Sequence, residues 1–200
     1  KDRNLEVYQD EILNVIIKKP GTPGYENSEP LIIQGHMDMV CVKTDNSNHN
    51  FDTDPIEMIV EGDVLRANNT TLGGDDGIAV AYGLAILDAD DIPHPPLELL
   101  VTTNEETGMD GAMELKADHL SGTRLLNLDT EVEGDFLVSC SGGSNIDLSF
   151  DIEREANSSK AYKLSISGLK GGHSGVEIDK QRANAIKLAA RLLYLVKADV

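Results

Sequence analysis

Leu97-Glu98-Leu99-Leu100-Val101-Thr102-Thr103-Asn104-Glu105-Glu106 is a near-continuous apolar run that closes in two adjacent carboxylates. A strand of this kind belongs in a sheet covered on both faces. Just upstream, Gly77–Ala89 carries Ile78, Val80, Ala81, Leu84, Ala85 and Leu87, mostly at helical spacing. Pro93, Pro95 and Pro96 separate that helix from the strand. Downstream, Gly111–Lys116 predicts a short helix and Leu125–Leu128 a second buried strand. Toward the N-terminus, Glu11–Lys18 and Leu31–Gln34 are Ile-rich runs linked through Pro20-Gly21-Thr22-Pro23-Gly24, which predicts an antiparallel pair. Residues 43–55 are polar and predict a surface loop, and Ile56–Ala67 predicts a hairpin around Glu61-Gly62-Asp63. Strand, helix, strand, helix, strand indicates an α/β sheet.

The pattern changes near Ser141-Gly142-Gly143. Asn145–Glu153 alternates Ile146, Leu148, Phe150 and Ile152 against polar residues, and Ala161–Ser167 does the same. Both stretches predict half-buried antiparallel strands. Gln181–Lys197 predicts an amphipathic helix. The expected organisation is one domain over residues 1–143 and the start of a second, β-β-α, over residues 144–200.

Forty per cent of the residues are apolar, enough for a substantial core, and no run approaches the roughly 20 apolar residues of a membrane span. The net charge of −18 argues against nucleic acid and anionic membrane surfaces as partners. Cys41 and Cys140 have no CxxC spacing and are expected to be free thiols, buried or partly buried, as in a reducing, cytoplasmic setting. Lys1-Asp2-Arg3-Asn4 is neither a signal peptide nor a Met start, and the chain is expected to be a fragment of a longer one.

Chemistry concentrates at the ends of the apolar runs. His36 and Asp38 follow Leu31-Ile32-Ile33-Gln34-Gly35. On a strand, residues two apart point the same way, so Asp38 can accept the ring N–H that His36 does not use for a metal. Asp75-Asp76 follow Gly73-Gly74 and precede the helix, where acids also suit the helix dipole. Glu105 and Glu106, as neighbours in extended backbone, point in opposite directions and take different tasks, ligand and general base. Asp129 ends Leu125-Leu126-Asn127-Leu128. Each motif alone is equally an ordinary strand-end or cap residue. Together they fall at the edge of an open α/β sheet where sites form. Asp75, Glu106 and Asp129 with a hydroxide balance two divalent ions, and Glu105 is left free for a proton.

Four stretches carry a family resemblance. They are Gln34-Gly35-His36-Met37-Asp38-Met39-Val40, Thr70-Thr71-Leu72-Gly73-Gly74-Asp75-Asp76-Gly77, Thr103-Asn104-Glu105-Glu106-Thr107-Gly108-Met109-Asp110-Gly111-Ala112 and Gly168-Leu169-Lys170-Gly171-Gly172-His173-Ser174-Gly175. In this order they resemble the dinuclear zinc M20 metallopeptidases, in particular the aminoacyl-histidine dipeptidase branch. The resemblance implies a catalytic domain with a mixed sheet and flanking helices, followed by an α+β lid domain. It implies that His36 binds a first metal with Asp38 behind it, that Asp75 bridges two metals, that Asp129 completes the first and that Glu106 binds the second. Glu105 is then the general base on the bridging water, the Asp75–Asp76 peptide bond is cis, and His173 reaches over the site to the oxyanion. The implied cofactors are two divalent ions, zinc or alternatively cobalt or manganese. The family's second metal takes a further His from a later region, so the second site is expected to be incomplete here, weaker or empty. His49, His94 and His119 match no ligand position and are expected on the surface or in loops. The implied substrate is a small peptide, Xaa-His dipeptides among them, and a homodimer through the lid domain is possible within the family. The alternatives are another M20 activity, a tripeptidase or an N-acyl amino-acid deacylase, and a non-catalytic metal-binding module.

Overall fold

The computed structural model describes residues 3–130, 132–140, 142, 144, 146–156, 158–172 and 177–196. The chain divides into two units, Lys1–Ser141 and Gly142–Val200.

The first unit is built on a mixed five-stranded sheet. Its strands are β1 (Glu6–Gln9), β2 (Val15–Lys19), β3 (Leu31–His36), β6 (Leu97–Thr102) and β7 (Arg124–Asn127), in the spatial order β1-β2-β6-β3-β7. A separate hairpin, β4 (Met58–Glu61) and β5 (Val64–Ala67), turns at Gly62-Asp63 as expected. Helix α1 (Gly74–Asp88) links this hairpin to β6, and α2 (Asp110–Met113) follows β6. β6 is buried at all six positions because both of its faces are covered and both of its edges are paired. On one face Leu97, Leu99 and Val101 pack with Ile33 and Leu87, and on the other Leu100 packs with Ile16 and Ile32. Fully burying one such side chain contributes roughly 1.5–3 kcal/mol.

The expected pairing of the two N-terminal apolar runs does not form. β6 lies between β2 and β3, antiparallel to the first and parallel to the second. The most apolar run takes the centre, and the less apolar ones flank it. The first of those runs is also shorter than expected: Asp10 to Asn14 form a turn, with Leu13 at φ 73 and the Asp10 carboxylate accepting the amides of Ile12 and Asn14.

α1 approaches the sheet through Ala79, Gly83 and Leu87, whereas Ile78 and Leu84 face outward. The close contact explains two glycines. A Cβ at Gly83 would lie 2.4 Å from Leu99, and one at Gly35 would lie 2.5 Å from the Ala79 Cβ. β7 forms where a strand was expected but is not buried; Leu125 is 54% exposed, because β7 pairs only on its β3 side among the described residues. Cys41 and Cys140 are free, as expected, but both are exposed rather than buried.

A Glu sits inside the central strand, and its surroundings explain how. The Glu98 carboxylate accepts the Ser121 amide and hydroxyl and the Gly122 amide, and lies 3.4 Å from the Lys18 ammonium. Burial raises its pKa, but these donors hold it below the ordinary carboxylate value.

In the second unit, α3 (Ala185–Val196) forms, starting later than expected. The two expected strands do not: among the described residues, 146–156 and 161–167 are not in ladders. Ile146, Leu148, Phe150 and Ile152 are all exposed. Alternation specifies a face that a partner must cover, and no ladder supplies that partner among the described residues.

Candidate active site

Parallel pairing aligns His36 with Thr102 and Gln34 with Asn127. The carboxyl ends of β3, β6 and β7 therefore share one edge, and the residues that follow them meet there. Pairing persists one residue further on each side: the Met37 amide donates to Thr102 O at 2.9 Å, and the Leu128 amide to Gln34 O at 3.0 Å.

His36 is buried and central. Its Nδ1–H donates to the Asp38 backbone carbonyl at 3.0 Å. A carbonyl only accepts, so Nδ1 carries the proton and Nε2 is left with its lone pair. Nε2 lies 3.1 Å from Asp75 Oδ1 and 3.8 Å from both Glu105 Oε2 and Asp129 Oδ1. The Asp38 carboxylate, expected behind the ring, stands 3.5 Å from Nδ1. It also accepts the Glu105 amide on Oδ1 and the Glu106 amide on Oδ2, both at 3.1 Å. Burial raises the Asp38 pKa, but those two amides pull it below the ordinary value. Glu105 and Glu106 lie in a turn, not in extended backbone, so opposite pointing from strand alternation does not apply to them.

The peptide bond between Asp75 and Asp76 is cis. The two acids precede the regular part of α1, with extended φ/ψ at Asp75. Asp76, which sequence reasoning left without a role, is fully buried, and its Oδ2 accepts the His36 amide at 3.2 Å. A Cβ on residue 35 would lie 2.6 Å from that oxygen, so Gly35 is the sequence signal for this close approach. Asn14, likewise unassigned, is buried beneath the turn. Its amide group donates to Gly111 O at 2.8 Å, and its Oδ1 accepts the Thr103 amide at 3.1 Å.

The electrostatics suit a cation. Burial lowers the His36 pKa, but Asp129, Asp75 and Glu105 outweigh it, and the net shift is upward. Asp129 is pushed up to about 7 by burial, by its hydrogen bond with Asp75 and by the charges of Asp75 and Asp76. Burial also raises Asp76. An unprotonated Nε2 facing a carboxylate oxygen at 3.1 Å is two acceptors in contact, which only a proton or a cation can reconcile. Ligand atoms of His36, Asp75 and Glu106 lie within 4.8 Å of one another, as do those of His36, Asp76 and Asp129. One neutral imidazole and several carboxylates form a donor set that fits divalent zinc. Of the expected site residues, the structure brings His36, Asp38, Asp75, Glu105, Glu106 and Asp129 to this edge. His173 lies outside the described residues. Of the remaining histidines, His49 and His119 are in loops or short turns, and His94 is in a loop but buried.

No family model matches the chain. It is 42% identical over 195 residues to the cytosol non-specific dipeptidase of Escherichia coli (strain K12), covering 96% of this chain and 40% of that protein. Its structure matches that of aminoacylhistidine dipeptidase from Vibrio alginolyticus with a TM-score of 0.69 and 39% identity, over 96% of this chain and 40% of the other. The chain is similar to these two dipeptidases over nearly all of its own length. It spans two fifths of the length of these two relatives. A tripeptidase from Staphylococcus aureus subsp. aureus mu50 matches with a TM-score of 0.53 at 24% identity, over 66% of this chain and 35% of that one, and shares the fold. No described helix is long and apolar enough to cross a membrane.

Proposed function

We propose that this chain belongs to the M20 peptidases and takes part in the metal-dependent hydrolysis of small peptides, dipeptides and in particular Xaa-His dipeptides. The observation that carries the reading is the single edge at which His36, Asp75, Glu106 and Asp129 converge around Nε2, with Glu105 beside them. His36 and Asp129 would hold one divalent ion, Glu106 a second, and Asp75 both. Asp76 is within reach, but its Oδ2 is committed to the His36 amide. When bound, such ions polarise a carbonyl and lower the pKa of a water to about 7.

The side chains do the rest. Glu105 takes the proton of the attacking water as the new C–O bond forms, then returns it to the departing nitrogen as the C–N bond breaks. The products are a carboxylate and an amine. The Asp38 carbonyl keeps the His36 lone pair on Nε2, directed into the cluster. His173 is assigned by family resemblance to support of the oxyanion. The same reading carries zinc as the metal, with cobalt or manganese able to substitute. It also carries a cytoplasmic location, residues 144–200 as the start of a lid, and a homodimer formed through it.

Histidine release from glycyl-histidine and β-alanyl-histidine tests the proposal. Release that requires added zinc or cobalt is the expected result. A protein that binds two metals yet releases no histidine, while cleaving tripeptides or N-acyl amino acids, would move the substrate to another class of the same family.

A further inference from the structure

We infer that Asn14 is a positioning residue that clamps both ends of the turn carrying Glu105 and Glu106. The catalytic meaning of the clamp rests on the proposed function; the clamp itself rests on its contacts.

β6 ends at Thr102, and the chain runs from Thr103 through the turn to Gly111 in α2. Glu105 and Glu106 lie on that turn, outside any ladder. The Asn104 carbonyl closes its middle by accepting the Met109 amide at 2.8 Å and the Gly108 amide at 3.3 Å. The Gly111 amide donates to Thr103 O at 3.0 Å, which draws the two ends together. Asn14 then bridges those ends. Its Oδ1 accepts the Thr103 amide at 3.1 Å, and its Nδ2 donates to Gly111 O at 2.8 Å.

Strand pairing delivers Asn14 to this place. β2 runs antiparallel to β6 with Val15 opposite Val101, so Asn14 comes beside the end of β6. It is 1% exposed, so water does not compete for either contact. A Cβ on residue 111 would lie 2.6 Å from Asn14 Oδ1, which is why a glycine stands there. The clamp is held from its own side as well. Nδ2 also donates to Asp10 Oδ2 at 2.8 Å, and the Asn14 amide donates to Asp10 Oδ1 at 2.8 Å. The Thr103 hydroxyl donates to Ile12 O at 2.9 Å and ties the same two segments. An amide side chain suits the position because it offers two donors and an acceptor. A carboxylate of the same shape has no donor for the Gly111 carbonyl or for Asp10. None of these hydrogen bonds involves His36, Asp75 or Asp129, so loss of the clamp is expected to act on the two glutamates.

Nuclear magnetic resonance of the metal-free protein reads this, with wild type, Asn14→Ala, Glu98→Gln and the double substitution Asp10→Asn with Asn14→Asp compared. Glu98 lies at the other end of β6, so Glu98→Gln controls for lost stability alone. In Asn14→Ala the Thr103 and Gly111 amides are expected to exchange faster by roughly 10-fold or more. The side-chain carboxyl carbon signals of Glu105 and Glu106 are expected to move. The Leu99 and Val101 amides should keep their protection, which shows that the sheet is still folded. Glu98→Gln should leave the two glutamate signals in place. The double substitution keeps an acceptor for the Thr103 amide and remakes the bond between positions 10 and 14, but turns a carboxylate toward Gly111 O. It is isosteric, and is expected to keep Thr103 protected while the glutamate signals still move. Glutamate signals that stay in place in Asn14→Ala, or that move as far in Glu98→Gln, would overturn the inference. If the sheet loses protection in Asn14→Ala, the double substitution decides, and unmoved glutamate signals there would overturn the inference. Dipeptide turnover is measured alongside, and kcat should fall by roughly 10-fold or more in Asn14→Ala with KM changed by less than about 3-fold. If the wild type hydrolyses no dipeptide, the function proposal fails, while the metal-free spectra still decide the role of Asn14.

Discussion

Two carboxylates on opposite edges of the same sheet behave in opposite ways. Glu98, at the start of β6, is buried among donors: the Ser121 and Gly122 amides, the Ser121 hydroxyl and the Lys18 ammonium. Its pKa is depressed. Asp129, just beyond the end of β7, is half-buried among acceptors, and its pKa is pushed up to about 7. Both are partly or wholly removed from water, so burial alone does not separate them. The sign of the surrounding partial charges does. A buried carboxylate satisfied by donors anchors a structure. One crowded by other carboxylates marks a place that suits a cation.

The largest expected effect concerns the acid that this reading leaves free. Glu105→Ala should lower dipeptide turnover by about 10²–10⁴-fold, with metal stoichiometry unchanged in a calorimetric titration. Near-normal turnover would remove Glu105 from the proton transfer.

Next, Glu98→Gln should destabilise the fold by about 1–3 kcal/mol in urea denaturation, since it takes a charged acceptor from buried donors. The variant should still bind metal, because the site edge lies at the other end of the strand. Gly35→Ala should cost a comparable amount, about 1–3 kcal/mol, by pressing a methyl group against Ala79 and Asp76. Unlike Glu98→Gln, it should also weaken metal binding, because Asp76 holds the His36 amide.

The two carboxylates also predict opposite pH dependences in the metal-free protein. Glu98 has a folded pKa below its ordinary value of about 4.3. Its contribution is present above that value and is lost as pH falls through the folded pKa. Asp129 has a folded pKa above its ordinary value of about 3.9. Its protonated form is favoured in the fold, so its contribution is present below about 4 and is lost as pH rises toward 7. Asp129→Asn should therefore flatten the decline in melting temperature between about pH 4 and 7, and Glu98→Gln should flatten the decline at lower pH. The same limb for both variants would break the comparison.

The edge of the sheet was readable in the sequence because each site residue follows an apolar run or opens a helix, and parallel pairing brings those positions together. β6 was readable because its unbroken apolar run matches burial at every position, whereas α1 and the hairpin formed where expected although Ile78, Leu84 and most of the hairpin are exposed. Strand order was not, since a centre position depends on competition among Glu11–Lys18, Leu31–Gln34 and Leu97–Thr103 for the same neighbours. The turn at Glu105-Glu106 was read as extended because its contacts appear only in the fold: the Asn104 carbonyl accepts the Gly108 and Met109 amides, and the Asp38 carboxylate, 67 residues from Glu105, accepts the Glu105 amide. Asp76 and Asn14 went unassigned because a buried polar residue shows its partners only after folding. The alternation over 145–153 was read as strand, but alternation specifies a face and not the partner that covers it.

Cobalt titration of the metal-free protein near pH 7 tests the central claim, with wild type, Asp129→Asn and Glu98→Gln side by side. The account predicts saturable binding that stabilises the wild type by about 2.7 kcal/mol at a hundred times Kd. It predicts the same in Glu98→Gln and a binding at least roughly 10-fold weaker in Asp129→Asn. No saturable binding by the wild type, or affinity untouched by Asp129→Asn, would contradict it.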